Sequence, residues 1–228
     1  VRAVTFFSRP RRYRWDFDRD EIVADGVMHA LGLGLAIAGA FAIALWTARD
    51  VFAAPIVEPL VAYSASLVAM VAFSAAYNMW PPSATKGFLR RFDHAGIYLL
   101  IAGTYTPILW PLADQPAAGL LLAGLWLTAG LGIAVKLALP GRAERLSYAV
   151  YLLLGWSGIA LYRTLDSALP PGTLQLLVTG GLLYSVGVVF HLWRSLRYQN
   201  AIWHGFVLLA AACHYAAVVD YAALVEAA

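Results

Sequence analysis

The amino-acid sequence predicts an all-α fold, a bundle of seven transmembrane helices with its N-terminus in the cytoplasm and its C-terminus outside. Three observations predict it. Hydrophobic residues make up 61% of the 228 residues and charged residues only 13%, about half the charged share of an ordinary soluble domain. The apolar residues gather into runs of bilayer-spanning length. Lys and Arg fall almost wholly in alternate gaps between those runs.

The runs are 26–48, 59–80, 93–111, 117–135, 146–162, 170–193 and 200–219. A spanning helix needs roughly 20 mostly apolar residues, so seven spans and short connections account for the chain and leave no separate soluble domain. The gaps carry helix breakers: Pro55 and Pro59, Pro81 and Pro82, Pro111 and Pro116, Pro140 and Gly141, Pro170 and Pro171. Two regions follow, an N-terminal segment over 1–24 and a transmembrane domain over 25–228. The segment is basic and aromatic, then acidic, without the apolar centre of a signal peptide. It reads as cytoplasmic and lying at the membrane surface.

Cytoplasmic loops of membrane proteins carry an excess of Lys and Arg. With the N-terminus inside, fourteen of the 16 Lys and Arg are cytoplasmic, and only Arg49 and Arg163 are outside. Gly26, Ala30, Gly34 and Ala38 form a small-residue stripe expected to admit a neighbouring helix, as are Gly180, Gly181 and Gly187. Trp46, Trp80, Trp110 and Trp193 fall near span ends, as in an interfacial belt. The single cysteine, Cys213, excludes an intrachain disulfide and reads as a packing residue. There is no nucleic-acid motif, and no soluble partner is implied. Membrane lipids are the expected partners, in a bacterial inner membrane if the host is bacterial, and no oligomeric state is specified.

Ionisable groups inside spans are costly and point to function. Asp25 and His29 lie one turn apart at the cytoplasmic end of the first span, and Ser74 and Asn78 at that of the second. Asp93, followed by His94, opens the third; Asn200 and His204 open the seventh, again one turn apart. Residues so spaced share a helix face, so four helices offer polar groups to one layer. Each has a plainer reading. Asp93 caps its helix; His29 and His214 are hydrogen-bonded packing residues; Asn78 and Asn200 bond across helices. His191, near Arg194, sits at the headgroup level.

The run from Arg91-Phe92-Asp93-His94-Ala95-Gly96 to Gly103-Thr104-Tyr105-Thr106-Pro107, then Gly155-Trp156, then Gly180-Gly181 to Gly187, and Ala201-Ile202-Trp203-His204, resemble the hemolysin III family. This is the bacterial branch of the progestin and adipoQ receptor group. The stretch from Glu21 to His29 is similar to the family's opening motif. The resemblance implies seven helices and a cytoplasmic-side zinc site. Carried over, its residues are Ser74, the position of Asn78, Asp93, the position of Asn200, and His204. Two of the three family histidines are therefore asparagine here. Zinc prefers imidazole, thiolate and carboxylate, whereas an amide oxygen is a neutral, hard donor. Asp93 and His204 alone are two metal ligands, so no cofactor is expected, with zinc as the alternative.

Three functions are compatible with these residues. The first is a lipid-homeostasis or lipid-sensing protein whose network of Ser74, Asn78, Asp93, Asn200 and His204, with Asp25 and His29, works without metal. The second is a zinc-dependent lipid amide hydrolase similar to alkaline ceramidases, in which Ser74 is a catalytic candidate only if a metal is bound. The third is a proton or ion pathway through Asp25, His29, Asp93, His94 and His204, with only His214 lying deeper, about 15 Å along the last helix.

Overall fold

Asp18 starts the first helix. Its side chain accepts from the Glu21 amide, and the Glu21 carboxylate accepts from the Asp18 amide, both at 2.9 Å, a reciprocal capping box. In the computed structural model, which describes residues 17–52, 54–139 and 144–227, helix α1 runs over Arg19–Thr47, earlier than the expected start at residue 26. The remaining long helices are α2 (Ala54–Met79), α3 (Ala84–Leu109), α4 (Pro116–Ala138), α7 (Pro171–Leu192) and α8 (Gln199–Ala227). Among the described residues there is no strand, and six helices are long and apolar enough to cross a membrane. The basic N-terminal residues up to Arg14, with Trp15 and Asp16, and the Pro140-Gly141 turn with Arg142 lie outside the described residues.

The expected fifth span, 146–162, is not one helix. It is α5 (Glu144–Gly155), a 3-10 turn (Ser157–Leu161) and a short α6 (Tyr162–Ala168). The break falls at Gly155-Trp156, and Tyr105 of α3 fills it. Its hydroxyl donates to the Gly155 carbonyl at 2.7 Å and accepts from the Gly158 amide at 2.9 Å. Backbone groups freed at membrane depth must find partners within the protein, and one phenol serves two of them. Helix α5 lies antiparallel to the end of α7, and α6 also packs against α7. Tyr148, near the start of α5, meets His191 at the end of α7, and Trp156 meets Ser185 one to two turns back.

Several helix ends differ from the sequence expectation for local reasons. Pro59 lies inside α2, within its second turn, where it is fully buried. Asp93 does not cap the third helix. Ser83 does, accepting from the Lys86 amide at 3.2 Å. Asp93 therefore sits well inside α3. The loop cations Lys86 and Arg91 close helix C-termini. Lys86 Nζ donates to the carbonyls of Tyr77, Asn78 and Trp80 at 2.9–3.0 Å, and Arg91 donates to Leu137 at 3.2 Å. Cations at a helix C-terminus satisfy orphan carbonyls and oppose the dipole.

Helix α3 is central, packing against α2, α4, α5 and α8, while α8 packs against α7, α1, α2 and α3. Two glycines permit the closest approaches. A Cβ on Gly103 would stand 2.0 Å from Ser66 Oγ of α2, and one on Gly180 would stand 2.3 Å from the His214 ring of α8. The expected stripe on α1 does not pack this way. Ala30, Gly34 and Ala38 are exposed, and α1 turns inward the face of Asp25, His29, Gly32, Ala36 and Ile43. Large side chains such as Leu35, Phe41, Leu120, Leu127 and Leu153 point away from the bundle, as lipid-facing positions do.

The molecule has two unlike halves. Where α2 begins and α3 and α8 end, the interior is apolar: Ile56, Leu60, Leu109 and Val218 are fully buried, with Leu165 of α6 packed among them. Where α1, α3 and α8 begin and α2 ends, the interior is polar and contains a cavity.

Candidate functional site

The polar layer is built from helix ends. Glu21 ties two of them together: while its Oε2 completes the α1 cap, its Oε1 accepts from the Tyr198 amide at 2.9 Å. Tyr198 has a positive φ of 58°, a left-handed turn that directs the chain into α8. This contact sets the first turns of α8 against those of α1. Asn200 and His204 thereby meet Asp25 and His29.

Asp25 is the hub. Only 4% of it is exposed. Its Oδ2 accepts from Asn200 Nδ2 at 2.7 Å, and its Oδ1 lies 2.6 Å from His204 Nδ1. His29 Nε2 is 3.5 Å from Oδ2. The His29 and His204 rings lie against each other with centroids 4.2 Å apart. Asn200 uses its second amide hydrogen on Asn78 Oδ1, at 3.1 Å. Asn78 in turn donates to the Ser74 carbonyl at 3.0 Å and lies 3.4 Å from Ser74 Oγ. One chain of hydrogen bonds thus runs from α1 through α8 to α2. Asp93 of α3 joins Ser74 and His204 at the wall of the same site. All seven residues singled out by the sequence gather at one end of the bundle.

Beside this network lies a cavity of about 420 Å³. Ser74, Asn78, Asp93, Asn200 and His204 line its polar end, whereas Asp25 and His29 do not reach its wall. From there it extends past Ile97, Leu100 and Val207 to Trp156 and Tyr184. It is therefore amphipathic along its length.

Some residues stand where the sequence did not put them. His191, expected at the headgroup level, is in the last turn of α7, half-buried, and lines the cavity 3.0 Å from the Tyr148 hydroxyl. Lys136, counted as a loop charge, lies in the last turn of α4, is 4% exposed and lines the cavity. Gln199, buried at the start of α8, donates to the His191 carbonyl. Hydropathy gave no signal for these, because each lies within one turn of the end of an apolar run. His214 fits its packing role, 3.1 Å from the Leu177 carbonyl.

The zinc set implied by the resemblance does not fit. Asn78 and Asn200 spend their amides on Ser74, on Asp25 and on each other, and neither supplies a nitrogen or anionic ligand. The trio whose ligand atoms converge is Asp25, His29 and His204, all within 4.8 Å of one another. In this trio His29 Nε2 is buried and has no hydrogen-bond partner among the described residues.

Comparison with known proteins assigns the family. The chain matches the family described as haemolysin-III related over residues 19–215. It belongs to that family. It is 33% identical to the hemolysin-3 homolog of Bacillus subtilis (strain 168), over 90% of this chain and 96% of that protein. It is 35% identical to hemolysin-3 of Bacillus cereus, over 88% and 91%. The monocyte to macrophage differentiation factor of Homo sapiens is 30% identical over 70% of this chain and 68% of its own length. No solved structure matches the chain. Family membership and the six apolar helices together make it an integral, multi-pass helical membrane protein.

Proposed function

We propose that this haemolysin-III-related protein binds a membrane lipid in the amphipathic cavity and serves lipid homeostasis or sensing in the bacterial inner membrane. The observation that carries this reading is the continuity of the cavity. A polar layer of Ser74, Asn78, Asp93, Asn200 and His204 opens into an apolar interior bounded by Ile97, Leu100 and Val207. A volume of about 420 Å³ is within the range of ligand pockets and suits a headgroup with part of an acyl chain. The asymmetry of Lys and Arg supports a cytoplasmic N-terminus. In that orientation the polar layer faces the cytoplasmic leaflet, and the α5–α6 segment is the seventh crossing.

No hydrolytic step follows from the asparagine-substituted ligand set. A proton path has less support, because the ionisable network is confined to one half and the other is packed with apolar side chains.

Native mass spectrometry of the protein in mild detergent, with extraction of retained lipid, tests the reading. The parent is expected to keep a lipid, and Val188→Trp, which fills the cavity from α7, to lose most of it at an unchanged Tm. Equal lipid on both proteins, or none on the parent after reconstitution and gentle extraction, overturns it.

A further inference from the structure

The geometry points to a divalent-metal site formed by Asp25, His29 and His204, joining α1 to α8. The chain has exchanged the α2–α8 ligand set of the resemblance for this one. Four observations carry it.

Two of the residues are one turn apart on α1, and the third arrives on α8 through the Glu21–Tyr198 contact. Their ligand atoms lie within 4.8 Å of one another. Two ligands on a tetrahedral zinc, each about 2.0–2.1 Å from it, are separated by about 3.3 Å. The 3.5 Å between His29 Nε2 and Asp25 Oδ2 is close to that spacing.

Among the described residues His29 Nε2 has no hydrogen-bond partner, although it is buried and faces the Asp25 carboxylate at 3.5 Å. A buried polar atom left unsatisfied is costly, and a cation between nitrogen and carboxylate satisfies both. One carboxylate and two imidazoles form a donor set typical of zinc sites that keep a fourth position open.

The asparagines then acquire a reason. Asn200 donates to Asp25 Oδ2 and is itself positioned by Asn78. Outer hydrogen bonds of this type fix the orientation of a ligating carboxylate and are part of a metal site. A histidine at residue 200 would compete for the ion, whereas an asparagine supports the ligand. Since Asp25 and His29 do not line the cavity and His204 does, the ion is held behind the cavity wall. It fixes the imidazole presented there.

Metal content decides the matter without any activity assay. The full-length protein is saturated with zinc in detergent, dialysed against metal-free buffer and measured by elemental analysis. About one zinc per chain is expected for the parent and for Val188→Trp, and a background level for His29→Ala. A second variant guards against simple misfolding. His29→Cys is expected to keep the metal and, with cobalt substituted, to add a thiolate charge-transfer band absent from the parent. Zinc absent from the parent, zinc retained by His29→Ala, or no new band with His29→Cys overturns the proposal. Because Val188→Trp is expected to retain its zinc, a failure here is distinct from a failure of the lipid reading.

Discussion

Asn200 donates both amide hydrogens to acceptors on other helices, one to Asp25 on α1 and one to Asn78 on α2. Its loss strands groups on two other helices. In Asn200→Ala the buried Asp25 carboxylate loses a donor, and Asn78 Oδ1 loses the donor it accepts from α8. A destabilisation of about 1–3 kcal/mol is expected, read as a lower Tm in detergent. Asn200→Asp is expected to be worse, since two carboxylates then face each other. A Tm for Asn200→Asp at or above that of Asn200→Ala counts against Asp25 being charged. The residue types of this network were legible in the sequence, because polar side chains in apolar runs stand out. Their partners were not. Asp25 and Asn200 are 175 positions apart, and no local spacing reveals which of several polar pairs will meet.

Among the elements, the α5–α6 segment departs furthest from a plain spanning helix. Its backbone is broken at Gly155, and Tyr105 supplies both a donor and an acceptor to the break. Tyr105→Phe removes a single oxygen and leaves two backbone groups without that partner. The expected cost is about 2–4 kcal/mol, with faster proteolysis or hydrogen exchange at 155–161 than elsewhere in the chain. Uniform exchange in the variant means water or another side chain already satisfies the break. Hydropathy marked 146–162 as one span because apolar content is indifferent to helix continuity. Gly155-Trp156 was visible as a motif, yet the need for a break depends on α3 carrying a phenol at that depth. Helix α1 gives the same lesson. Its small-residue stripe suggested one packing face, and its polar pair took the opposite role of facing the bundle. In lipid, apolar faces gain little by turning inward, so hydrogen-bonding groups decide rotation.

At the scale of the whole molecule, the two halves differ in what holds them. The half containing Ile56, Leu60, Leu109 and Val218 is closed by dispersion packing. The other is held by hydrogen bonds around a cavity. Topology links this asymmetry to a leaflet. In a Cys213→Ala background, cysteines placed at Gly87 and at Asp114 report opposite sides. Position 87 is expected to be reached by an impermeant thiol reagent only from the cytoplasm, and position 114 only from outside. The reverse pattern inverts the orientation derived from Lys and Arg, and with it the leaflet from which a lipid enters.

The sequence by itself determined the solvent of this protein, its family and the approximate position of each apolar helix. These follow from properties that add residue by residue: apolar content over a span length and the side on which basic residues lie. Tertiary structure alone decided that Asp25 and His29 join His204, that the fifth apolar run breaks over Tyr105, and that Lys136 and His191 line a cavity. Each depends on groups from different helices meeting in space. The bilayer specifies that helices cross it, and leaves their rotation and pairing to the few polar atoms that must find one another inside.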